Sequence, residues 1–202
     1  LVDTGHHYLA VNVEQIVAWL LDENQLGGFH FNDRKYADDD LTMGSINPYQ
    51  FFRIFHEIEN HRCGNSSAHP EIAYMVDQSH NIKPKIQAMI QTAMTAQEIY
   101  AKACMVDRKA LSVSQRNEDT VKSENLLKDA YAADVRPLVA EWRLARGLPA
   151  DPLKAFVGSC FLEDQALPMH HVEFTNFLNV DLVGAKMCDE LSLTISGYHL
   201  MR

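Results

Sequence analysis

The hydrophobic pattern changes period several times along the chain. After "LVDTGHHYLA", Val13, Ile16, Val17, Leu20 and Leu21 recur at helical spacing. Asn12 stands where an N-cap belongs, with Gln15 three residues on, and Gly27–Gly28 ends the pattern. "GGFHFND" then reads as a short strand and "RKYADDDLTMGSI" as a polar loop. Asn47 as cap and Pro48 at the first helical position open a second helix through "YQFFRIFHEIE", and "NHRCGNSSAHP" reads as loop. "EIAYMVDQSH" predicts a third strand. Pro84 opens one long helix, "PKIQAMIQTAMTAQEIYAKACMVDRKALSV", and further helices are expected over about 121–134 and through "LVAEWRLARG" after Pro137. Strands alternating with helices imply parallel βα units, in either a doubly wound sheet or a barrel.

Composition narrows the function classes. The chain has 202 residues, 47% of them hydrophobic and 22% charged, which is ordinary for a globular domain with a real core. A net charge of −9 argues against nucleic acid, which demands a basic face. No apolar run reaches membrane-spanning length and no signal peptide opens the chain. Cys63, Cys104, Cys160 and Cys188 lie far apart with no CxxC pair, so reduced thiols and a cytoplasmic location are expected rather than a disulfide framework. The chain starts at Leu1, directly in a strand end, and is expected to be a piece of something longer.

Each of the three strands ends in polar residues. The first carries Asp3 and His6, the second His30, Asn32 and Asp33, and the third Asp77, Gln78 and His80, while the loop after the second adds Asp38 and Asp40. In a (β/α)8 barrel, side chains at the C-terminal strand ends and on the loops after them converge on one mouth. Asp3, His6, His30, Asp38, Asp40 and Asp77 would then form a set of four carboxylates and two imidazoles, suited to Mn²⁺, Mg²⁺ or Co²⁺ rather than to a structural zinc. Plainer readings compete for each residue alone. An Asp at a strand end is commonly a turn or cap residue, "DDD" a solvated acidic loop, and Asn32 and Asp33 turn-formers. His6 and His7 read alone as loop histidines, and His56, His61 and His80 as surface or packing residues.

"VDTGHH", "GFHFNDRKYADDDLT" with "GSINP", and "MVDQSHN" with "KPKI" resemble the C-terminal half of the rhamnose isomerase family in its bacterial, broad-specificity form, among the xylose-isomerase-like TIM barrels. The resemblance runs from residue 1 to about 156. It implies the C-terminal portion of a (β/α)8 barrel, about three βα units over 1–115, with a helical extension over 116–156 that contacts neighbouring subunits in a homotetramer. It also implies two divalent cations, Mn²⁺ first, with Co²⁺ or Mg²⁺ as alternatives. Asp3 resembles the carboxylate that bridges them, His30 and Asp77 ligands of the first, and His6, Asp38 and Asp40 ligands of the second; Asp39 would point elsewhere. The implied reaction interconverts L-rhamnose and L-rhamnulose, with other aldoses accepted, and Asp77 and His6 are the expected catalytic residues. Hydride shift and proton transfer between C2 and C1 both remain open. Apolar Leu126, Leu127, Tyr131, Val135 and Leu138 fit burial against a partner subunit or against the same chain.

Two departures from the family stand out. Its remaining first-cation glutamate and a nearby lysine sit on a preceding strand, so the isolated chain is expected to be inactive. Similarity also stops after "DPLKAF" and returns only at Ser196–Tyr198, which leaves 157–202 as a divergent tail and suggests an intron read through as protein. "HHVE", with His170, His171 and Glu173, reads there as a chance cluster. The competing readings are a metal-dependent TIM-barrel hydrolase and a truncated product with no function of its own.

Overall fold

The computed structural model describes residues 1–64, 71–78 and 83–159. His80, Cys160, Cys188, the "HHVE" cluster and the Ser196–Tyr198 segment lie outside the described residues. Three short parallel strands, β1 (Val2–Asp3), β2 (Gly28–Phe31) and β3 (Ala73–Val76), form a sheet in chain order. They alternate with helices α1 (Val13–Asp22), α2 (Pro48–Gly64) and α3 (Lys85–Cys104), and four further helices follow: α4 (Arg108–Arg116), α5 (Thr120–Ala132), α6 (Arg136–Leu144) and α7 (Pro152–Val157).

Strand alternation gives the sheet two unlike faces. Val2, Phe29, Phe31, Tyr74 and Val76 share one face by register, and there Phe31 meets Phe51 and Phe55 of α2 edge-on. Phe29, Phe31 and Tyr74 stack on one another across β2 and β3. Phe29, Phe51, Phe52, Phe55 and Tyr100 are each essentially inaccessible, and burying one such ring contributes about 1.5–3 kcal/mol. Asp3, His30 and Met75 occupy the opposite face, where Met75 is exposed. The hydrophobic period thus separates a helix-packed face from a face that carries polar residues.

The helices pack in sequence, α1 on α2 and α2 on α3. Asn12 caps α1 through an N–H donated by Gln15, and the Asn47 side chain accepts the Gln50 N–H ahead of α2. Helix α2 continues five residues beyond the expected end at Glu59, because Asn60 to Cys63 contain no breaker and Arg62 pairs back to Glu59 at 3.0 Å. The single long helix expected from Pro84 is instead two. Asp107 accepts the Ala110 N–H and starts α4, since an aspartate competes for local backbone donors better than it continues a helix. Helix α7 was hidden in "DPLKAF", where Asp151 caps and Pro152 opens it.

Leu126, Leu127, Tyr131 and Leu138 pack against this chain's own core, with Tyr131 edge-on to Tyr49 and Phe52, and Val135 is buried. Cys63 and Cys104 form no disulfide. Among the described residues no helix is long and apolar enough to cross a membrane.

Candidate metal centre

The polar face of the sheet leads straight into the site. Asp3 and His30 are register partners at the ends of β1 and β2, and the Asp77 N–H, one residue beyond β3, donates to the Phe31 carbonyl at 3.0 Å. This ladder sets His30 Nδ1 at 3.4 Å from Asp3 Oδ2 and 3.1 Å from Asp77 Oδ2. One ligand atom from each of Asp3, His30 and Asp77 lies within 4.8 Å of the others, which is a spacing that can hold a metal ion.

The other oxygen of Asp3 faces a second group. Asp3 Oδ1 lies 2.8 Å from His6 Nδ1, and His6 Nε2 lies 3.0 Å from Asp38 Oδ2. Asp3 Oδ1 also accepts the Gly5 and His6 N–H groups and the Asn32 amide. Burial pushes the Asp3 carboxyl upwards, but the hydrogen bonds from His6, Asn32 and Gly5 outweigh it and hold the pKa below its usual value. His6 is raised, first by its hydrogen bond to Asp3 and then by the charges of Asp3, Asp38 and Asp40. His7, half-buried beside Arg34, is lowered by burial and by that positive charge.

Asp40 supplies the observation that tests a cation directly. Its Oδ1 is buried with no hydrogen-bond partner, and its pKa is raised by burial, then by the neighbouring charge and hydrogen bond of Asp38 and the charge of Asp77. A buried carboxylate oxygen without a donor, among like charges, costs free energy that a bound cation removes. The donor set, carboxylates with imidazole and no thiolate, fits a hard or borderline divalent ion.

Asp39, between the two candidate ligands, faces the loop instead. Its Oδ2 accepts N–H groups from Lys35 at 2.6 Å and Tyr36 at 2.7 Å, which hold its carboxyl below the usual range. The loop is closed at its base by an antiparallel bridge between Asp33 and Leu41. Asp33 does more than turn the chain. Its Oδ1 accepts the Arg34 N–H, and its Oδ2 accepts those of Ile46 and Asn47 ahead of α2.

Two supporting residues, Thr4 and Arg34, were not evident in the sequence, and a third, Asn32, has a role other than the one expected. Asn32, expected to be a turn-former, is fully buried and donates to Asp3. Thr4 Oγ1 donates to the Asn32 carbonyl at 2.6 Å and accepts the Asn32 N–H at 3.0 Å, locking β1 to the end of β2. Arg34 is buried and reaches the carbonyls of Thr4 and Tyr8. Gly5 is required by close approach, since a Cβ there would lie 2.0 Å from Asn32 Oδ1. "DTG" and "FND" were the available signal, small and polar residues directly after apolar strand positions.

Comparison with known proteins finds two relatives over most of the described residues. Over 156 residues the chain is 44% identical to a probable sugar isomerase of Mesorhizobium japonicum, an alignment covering 77% of this chain and 36% of that protein. The chain is similar to proteins described as probable sugar isomerases. A probable sugar isomerase of Rhizobium meliloti is 43% identical over 159 residues, covering 79% of this chain and 37% of its own length. The chain therefore spans little more than a third of the length of the curated relatives it matches. No family model matches it.

Proposed function

We propose that this chain carries the metal centre of an aldose–ketose isomerase that interconverts L-rhamnose and L-rhamnulose and accepts other aldoses. The carrying observation is the divided carboxylate of Asp3, one oxygen towards His30 and Asp77 and the other towards His6 and Asp38. Such a carboxylate suits a bridge between two cation positions. Similarity to two probable sugar isomerases supports the reaction class. Three parallel strands in chain order, with α1 to α3 packed side by side, are what consecutive units of a (β/α)8 barrel supply. On this reading the chain is the C-terminal portion of a longer, cytoplasmic, homotetrameric enzyme, and activity belongs to the longer protein.

Asp3, His30 and Asp77 would hold the first cation, and Asp3, His6, Asp38 and Asp40 the second, most simply Mn²⁺, with Co²⁺ or Mg²⁺ as alternatives. When bound, these ions supply Lewis-acid polarisation of the sugar's carbonyl and hydroxyl oxygens. The half-exposed Asp77 carboxylate would accept the O2 proton of the open-chain sugar and deliver it to O1 as hydrogen passes from C2 to C1. His6, exposed at the mouth between Asp3 and Asp38, joins the shared carboxylate to the aspartate loop.

The test uses the full-length protein after chelator treatment, assayed for rhamnulose formation with and without added Mn²⁺. Turnover is expected only with metal. Asp38→Asn and Asp40→Asn should each lower it by at least ~100-fold while remaining folded, because the Lewis acid contributes several kcal/mol to such chemistry. Wild-type turnover in both variants would show that the loop is only a solvated acidic turn.

A further inference from the structure

Apart from Asp3 in β1, the ligands of the second position come from two separate loops, outside the strand ladder. His6 follows β1, whereas Asp38 and Asp40 belong to the loop closed by the Asp33–Leu41 bridge. We propose that Arg34 is the positioning residue that fixes these two loops relative to each other, and so sets the affinity of the second cation position without touching the ion. The inference rests on the two-cation reading above.

Arg34 Nη1 donates to the Thr4 carbonyl at 3.1 Å and Nη2 to the Tyr8 carbonyl at 2.8 Å. These two carbonyls bracket His6 in the chain, so the guanidinium holds both ends of the turn that presents it. At its own root Arg34 is fixed to the base of the aspartate loop. Its N–H is taken by Asp33 Oδ1 at 2.9 Å, and the other oxygen of Asp33 is taken by Ile46 and Asn47. One side chain therefore spans from the floor of the Asp38–Asp40 loop to both flanks of His6.

The cost of this arrangement indicates that the bridging is specific. Arg34 is only 7% exposed, and its Nε–H is buried with no partner. A buried positive charge that supports a cation position also works against the occupant. Lysine, with its donors on one nitrogen at the end of a flexible stem, does not hold two carbonyls in the fixed spacing of the rigid planar fork. Charge and position thus make opposite predictions. If charge dominates, removing Arg34 tightens the second cation; if position dominates, removing it loosens that cation alone.

Mn²⁺ titration of the chelator-treated, full-length protein, with free ion counted by its electron paramagnetic resonance signal, separates the two. Arg34→Met and Arg34→Lys should each weaken one Mn²⁺ by ~10–100-fold, the usual cost of losing an outer-shell support, and leave the other within about twofold. In an Asp40→Asn background, where the second position is already lost, neither Arg34 change should alter the remaining ion. Arg34→Lys keeps the buried charge and the aliphatic stem, so it provides a folded sample should the Met variant not fold, and melting curves on both report that directly. A second Mn²⁺ that is unchanged or tighter in the folded variants overturns the proposal, as does equal weakening of both ions. A wild-type protein that binds fewer than two Mn²⁺ refutes the two-cation reading itself, a distinct outcome visible before any Arg34 variant is compared.

Discussion

Asp3 and His30 face each other as register partners in a parallel ladder, whereas Asp38 and Asp40 reach the same place from the far side of a loop. The first pair is positioned by repeating backbone hydrogen bonds, which any residues of suitable strand propensity make. The second depends on particular side chains: Asp33 at the base, Asp39 at the tip and Arg34 across to the neighbouring turn. Regular structure is cheap to specify and tolerant of change, while a loop of this kind is specified one side chain at a time. The strand-held half should accordingly be the more robust of the two.

Removing the shared residue breaks the comparison most completely. Asp3→Ala takes an oxygen from each half, and both Mn²⁺ affinities should fall by more than the ~100-fold upper range of an outer-shell loss. A titration in which one ion kept its affinity would show that Asp3 does not join the halves. Next in size is an effect that should not distinguish them. His56 is buried in α2, and burial first, then the charges of Arg108 and Arg53, push its pKa down to about 4. The unfolded chain binds this proton near pH 6.5. Stability is therefore complete above that value and falls as pH drops from 6.5 to about 4, by an upper bound of about 3 kcal/mol. Urea midpoints across this window should decline less steeply in His56→Gln than in wild type, and parallel slopes would disprove the assignment. The smallest effect sharpens the contrast. Asp39→Ala releases the N–H groups of Lys35 and Tyr36 at an exposed tip. It should weaken only the second Mn²⁺, by roughly 3–10-fold, at or below the low end of outer-shell losses. Equal weakening of the first ion in the same titration would erase the distinction between the halves.

The same contrast explains what the sequence made legible. Helices α1 and the start of α2 announced themselves through apolar period and capping residues, and His30 through its place in "GFHF". Asp3, His6, His30 and Asp77 stood out because strand ends project polar residues, and the structure brings ligand atoms of Asp3, His30 and Asp77 together. Thr4 and Arg34 did not stand out, and Asn32 reads in the sequence as a turn-former. Their roles are contacts across 26 to 30 positions; those of Thr4 and Arg34 are made to backbone atoms that carry no residue identity, and that of Asn32 to the Asp3 carboxylate. The break between α3 and α4 was missed for the opposite reason: the apolar pattern runs on through it, and only the capping geometry of Asp107 interrupts the backbone.

Asp40 has a positive φ of 45°, a left-handed conformation that Gly, Asn and Asp adopt with least strain. In the genetic code, asparagine and glycine are the two residues that a single transition, the commonest kind of point mutation, makes from aspartate. The substitutions most readily supplied by mutation at this position are thus the ones the backbone tolerates best, and each deletes the carboxylate. On the proposed reading, drift at this codon would leave a well-folded but catalytically silent protein, a lesion that abundance, solubility and melting temperature would all fail to reveal.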